Sequence, residues 1–135
     1  GLISGLATAI KAVQPGCRII GVEPAGSPTL AACLKAGRKV RLDAVTSRVA
    51  TMSCRETDDR IFQLVQAKVE EIVLVSDDEM LEASRWLWSE FGIAADLSGA
   101  ASVAALRRWP GRLRGARRVC ALVCGAGSDG IGSAV

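Results

Sequence analysis

Short β-branched runs, each fenced by glycine or proline, alternate along this chain with longer stretches whose apolar residues recur every three or four positions. Arg18–Glu23 reads RIIGVE between Pro15-Gly16 and Pro24-Ala25-Gly26, and Ile72–Val75 and the VCALV of Val119–Val123 are of the same kind. Apolar runs without in-out alternation fit strands covered on both faces, as in a parallel sheet whose connections are helices. The helical periods are Leu2 to Val13, Thr29 to Ala36 before Gly37, Thr57 to Val69, Asp77 to Phe91, and a helix capped by Ser98 that runs to Arg108. Ser76 with Glu79 three residues later predicts a capping box, and Lys39 to Leu42 reads as a brief extended piece. The expectation is an α/β fold, a parallel sheet with helices on both faces, in a single domain over residues 1–135.

Composition narrows the chemistry. No histidine is present, which removes Ser-His-Asp and Cys-His catalysis from this chain, together with the commonest transition-metal ligand. The five cysteines, Cys17, Cys33, Cys54, Cys120 and Cys124, are odd in number and form no C-x-x-C pair. A reducing, cytoplasmic setting is expected from that pattern. The net charge of +3 is too small to imply a nucleic-acid partner. Apolar stretches fall well short of the ~20 residues that a membrane span requires. The chain opens on Gly1 and enters a helical pattern at once, so it reads as a piece of something longer.

In open α/β sheets, ligands sit at the carboxyl ends of the strands. That singles out the loop after Glu23, the turn before Ser98, and Cys124-Gly125-Ala126-Gly127-Ser128-Asp129-Gly130. Glycines there let the backbone approach a bound group, or serve only as an exit from the last strand. Cys124 at that strand end either faces the crevice or packs as a core thiol. Gly1-Leu2-Ile3-Ser4-Gly5 opens a helix whose first N–H groups suit a phosphate, but from the residues alone close packing of helix on sheet at Gly5 is the favoured reading. Arg107, Arg108, Arg112, Arg114, Arg117 and Arg118 read as a helix C-terminus and a solvated loop. Asp77, Asp78, Glu79 and Glu82 read as a helix start, with no metal site expected of them.

Five motifs stand in one order: Gly1-Leu2-Ile3-Ser4-Gly5-Leu6-Ala7, Ile20-Gly21-Val22-Glu23-Pro24, Val73-Leu74-Val75-Ser76-Asp77-Asp78-Glu79, Ser98-Gly99-Ala100-Ala101 and Cys124-Gly125-Ala126-Gly127. Together they resemble the threonine/serine dehydratase family, in the later part of its catalytic region. The resemblance implies a partial tryptophan synthase β-like (fold type II) domain with pyridoxal 5′-phosphate as cofactor. It also implies a small-molecule amino-acid substrate, from which β-elimination of water leads to a 2-oxo acid and ammonia. By the same resemblance, Gly1 and the backbone N–H of Leu2 belong to the loop that holds the cofactor phosphate. Cys124, followed by Gly125, accompanies the pyridine nitrogen, and Asp96 lies near the cofactor where relatives often carry Glu. A neutral partner for that nitrogen favours elimination over transamination or racemisation.

Lys11, Lys35, Lys39 and Lys68 match no Schiff-base position of the family, so no catalytic residue is assigned and the chain alone is expected to be inactive. Glu23 matches one ligand of a divalent-cation site found in some relatives, but Thr29 stands where an Asp would be, and no metal is expected. Two alternatives stand beside the dehydratase reading: a cysteine synthase-like β-replacement enzyme, and a non-catalytic phosphate-binding or interaction module. Part of a catalytic domain leaves apolar surface uncovered, from which a homo-oligomer is expected.

Overall fold

Strands β1 (Ile20–Pro24) and β2 (Glu71–Val75) pair in parallel, with Gly21 opposite Ile72 and Val22 opposite Val73. The computed structural model describes residues 1–113 and 115–132, the side chain of Arg112 excepted. Among these residues the helices are α1 (Leu2–Val13), α2 (Thr29–Ala36), α3 (Asp59–Lys68), α4 (Asp77–Phe91) and α5 (Leu97–Arg108). The register divides the sheet into two faces. Val22 and Val75 meet Met80 and Leu87 of α4 and Ala100 and Ala104 of α5 on one side. Ile72 meets Ala7 of α1 and Val65 of α3 on the other. Helices therefore cover both faces, and the α/β parallel class read from the apolar runs is the one observed. Small side chains at Ala83, Ala100, Ala101 and Ala104 let α4 and α5 pack closely in a chain with few aromatics.

Local chemistry explains most of the element ends. Ser76 Oγ accepts from the Glu79 N–H at 3.1 Å, and Glu79 Oε2 accepts from the Ser76 N–H at 2.7 Å, the reciprocal box that the spacing predicts. Helices α2 and α4 stop at Gly37 and Gly92, both at φ +65°, a backbone conformation that costs glycine little. Helix α3 starts at Asp59, two residues later than the periodicity predicts, because the Asp58 carboxylate accepts from the Arg60 N–H at 2.8 Å and sets the cap there.

Two expectations are corrected. Val119–Val123 pairs with no strand among the described residues. Ala121 and Val123 lean on the α4–α5 core, while Val119 and Leu122 stay 48% and 44% exposed. The run has strand composition, but no neighbouring strand among the described residues takes up its ladder hydrogen bonds. Lys39–Leu42, read as a brief extended piece, belongs to no sheet among the described residues, and the Leu42 N–H donates to the Arg55 carbonyl at 2.7 Å. Helix α5 is capped by Asp96 rather than Ser98: Asp96 Oδ1 accepts from the Gly99 N–H at 2.5 Å, and the Ser98 hydroxyl donates to the same oxygen at 2.8 Å. Of the basic cluster, Arg114 and the side chain of Arg112 lie outside the described residues.

Candidate functional site

Several segments meet at the carboxyl end of the sheet. The short link 14–19 makes α1 run back along the sheet before β1, which brings its head, Gly1-Leu2, toward that end. Helix α4 starts directly after β2. The long connection between α2 and α3 is strapped across the same end. Its Thr46 N–H donates to the Gly26 carbonyl at 2.9 Å, and the Ser47 hydroxyl and Arg48 N–H donate to the two oxygens of Asp77, each at 2.7 Å. Farther along, the Cys54 carbonyl accepts from the buried hydroxyls of Ser27 at 3.0 Å and Thr29 at 2.5 Å. Asp77 thus begins a helix and also gathers the strap, and Ser27 and Thr29 anchor it. The loop after Glu23 is a fastening point for the rim of the site.

Opposite the strap, the glycine-rich segment folds onto the head of α5. The Asp96 N–H donates to the Gly125 carbonyl at 3.3 Å, and the Gly127 N–H donates to the Ala94 carbonyl at 3.1 Å. A Cβ on Gly99 would overlap the Gly125 carbonyl oxygen, and one on Gly125 would overlap the Asp96 carboxylate. The two backbones touch only because neither position carries a side chain. Between strap and α5 lies an open cleft of about 420 Å³, with Arg48 and Thr51 on one wall and Asp96, Ser98 and Asp129 on the other.

The structure brings some of the expected site residues together. Gly125 rests on Asp96, and Cys124 Sγ reaches the Ser98 carbonyl at 3.9 Å while its side chain remains exposed. Gly1 and Leu2 stand apart at the head of α1 and share no hydrogen bond with this group among the described residues, and of the five expected residues only Asp96 lines the cleft. Gly1 and Leu2 are exposed and a Cβ on Gly1 would meet no atom within 4 Å, while Ser4, one residue further into the turn than the half-buried Ile3, is buried with its hydroxyl donating to the Gly1 carbonyl at 2.9 Å. The start of α1 at Gly1 and Leu2 and the exposed Cys124 side chain are groups that suit the phosphate and the ring nitrogen of pyridoxal 5′-phosphate, respectively.

Other groups are already engaged. Both carboxylate oxygens of Glu23 accept from α2, Leu30 N–H at 2.8 Å and Ala31 N–H at 3.0 Å. Burial pushes this carboxyl above the usual glutamate range, and those two hydrogen bonds pull it partly back. Among the described residues no group of three histidine, cysteine or acidic side chains is placed to hold a metal ion. Lys39 pairs with Asp59 at 3.1 Å, the Lys11 ammonium donates to the Pro15 carbonyl at 3.0 Å, and no lysine among the described residues lines the cleft. Sequence reasoning misses Asp129, whose Oδ2 accepts from the Leu97 N–H at 2.9 Å. An acid inside a glycine-rich segment is the available signal.

Residues 1–125 match the family described as pyridoxal-phosphate dependent enzyme, and the chain belongs to that family. Phenylserine dehydratase of Ralstonia pickettii is 31% identical over 129 residues, which cover 96% of this chain and 40% of that protein. A biosynthetic L-threonine dehydratase of Bacillus subtilis (strain 168) is 33% identical over 129 residues, 96% of this chain and 30% of that protein. Among solved structures, a T.th. threonine deaminase is similar with a TM-score of 0.78 and 33% identity, over 82% of this chain and 41% of that chain. The fold is thus that of the type II pyridoxal-phosphate enzymes, and pyridoxal phosphate is the cofactor of the family. The chain spans well under half the length of these relatives. Among the described residues no helix is long and apolar enough to cross a membrane.

Proposed function

We propose that this chain forms one wall of the cofactor site in an ammonia-lyase of the threonine/serine dehydratase type, acting on a hydroxy amino acid to yield a 2-oxo acid and ammonia. The observation that carries the reading is the seating of Gly125 on Asp96 at the head of α5, with the exposed Cys124 thiol beside it. The names of the relatives support the substrate class. When bound, pyridoxal 5′-phosphate supplies an electron sink for β-elimination. Gly1 and Leu2 bind its phosphate through backbone N–H groups aided by the α1 dipole. Cys124 offers the ring nitrogen a neutral partner, and Gly125 keeps that stretch of backbone low against α5. Asp96 borders the cofactor while its Oδ1 holds the helix head.

Residues 1–135 act as one domain of a cytoplasmic homo-oligomer with no nucleic-acid partner. The exposed Leu2, Val13 and Phe91 supply apolar surface for such contacts. None of Lys11, Lys35, Lys39 and Lys68 serves as the Schiff-base lysine. The test is borohydride reduction of the chain after incubation with pyridoxal 5′-phosphate, followed by peptide mapping. The expected result is no stoichiometric adduct at any single lysine; complete modification of one of the four overturns the assignment.

A further inference from the structure

We propose that Asp129 is a positioning residue for Cys124, a latch that closes the glycine-rich turn onto α5. Its carboxylate takes the Leu97 N–H at 2.9 Å, so the first amide of α5 is held from outside the helix, while Asp96 holds the Gly99 N–H from within. Two acids at a helix head complement the positive end of its dipole, which favours the closed arrangement. Between Cys124 and the latch, Gly125 and Gly127 lie tight against Asp96: a Cβ on Gly127 would stand 2.8 Å from Asp96 Cβ, while Ala126 and Ser128 turn outward; just past the latch, a Cβ on Gly130 would overlap the backbone of Ser84. The near end of the turn is held by Asp96 and Ala94 through backbone hydrogen bonds, and its far end is staked by Asp129. Among the described residues the Cys124 side chain makes one long hydrogen bond, to the Ser98 carbonyl at 3.9 Å, so the backbone of the turn beside it sets where the thiol stands. The importance of that position for catalysis rests on the functional reading above; the latch itself does not.

The experiment compares Asp129→Ala and Asp129→Asn with the parent chain by amide hydrogen exchange and by iodoacetamide labelling of the cysteines. In Asp129→Ala, the amides of Asp96, Leu97 and Gly127 exchange at least about tenfold faster, as expected of a local opening, while Val73 and Met80 in the core stay within about twofold. The labelling rate of Cys124 rises at least about threefold, and the buried Cys33 does not follow because the opening is local. Asp129→Asn keeps a side-chain carbonyl that accepts from Leu97 and restores the parent pattern. Unchanged protection at Leu97 and Gly127 overturns the latch, and so does a parallel rise at Val73, Met80 and Cys33, which would mark general destabilisation. Failure of the parent chain to bind pyridoxine 5′-phosphate counts against the functional reading alone, because the latch is read without ligand.

Discussion

β2 and the stretch Val119–Val123 are both short apolar runs ending in Leu-Val, and they have opposite fates. In β2, Val73 and Val75 are buried, and the backbone pairs residue by residue with β1. In the later stretch Ala121 and Val123 touch the core on one side, Leu122 faces out, and a side-chain bond, Ser102 Oγ to the Leu122 carbonyl at 2.9 Å, ties it to α5. Composition makes a run fit for burial; a neighbouring strand makes it a strand. The same difference separates the core, which is held by area and shape, from the carboxyl end of the sheet, where the strap and the glycine-rich segment are held by individual hydrogen bonds.

The largest expected effect contrasts the two regions directly. Met80→Ala removes a fully buried side chain and should cost about 2–5 kcal/mol in urea unfolding, whereas Leu122→Ser should stay within about 0.5 kcal/mol. Equal losses would break the comparison. Next come the glycines. Gly99→Ala drives a methyl group into the Gly125 backbone and should cost about 1–3 kcal/mol, while Gly5→Ala, in open space within α1, should gain about 0.5–1 kcal/mol from helix propensity. Ser76→Ala loses one side of the capping box, about 1 kcal/mol.

The smallest effects are in the pH dependence. Glu23 has a folded pKa above its unfolded value, so the native state binds the extra proton. Its contribution to stability is therefore present below the ordinary glutamate range and declines as pH rises through the raised value; Glu23→Gln should flatten that part of a thermal-melting profile. Glu70 behaves oppositely. Its hydrogen bond with Arg18 holds it below the ordinary value, and the support it gives fades as pH falls through that lowered value. The pair is solvent-exposed, so Arg18→Ala should change melting only slightly and less at high salt.

What is legible in the sequence is what short-range chemistry decides. Helix α4 with its box, α2 with its terminal glycine, and the positions of both strands follow from spacing and punctuation. The head of α5 is ambiguous in sequence because Asp96 and Ser98 are both good caps two residues apart, and only the contact with the glycine-rich segment favours the first. Asp129, Asp77 and the Ser27–Thr29–Cys54 cluster act across distances in sequence that no local pattern encodes. Glu23 reads as half of a cation site that lacks its partner; its carboxylate is taken up instead by the first turn of the helix that follows.

Amide NMR of the chain titrated with pyridoxine 5′-phosphate, which has the phosphate and ring but no aldehyde, gives the most direct test. One ligand should shift two groups of amides along the same saturation curve, Leu2 and Ile3 at the head of α1 and Cys124 and Gly125 beside α5. Saturation that moves only one group, or that moves neither and shifts amides elsewhere, would contradict the account.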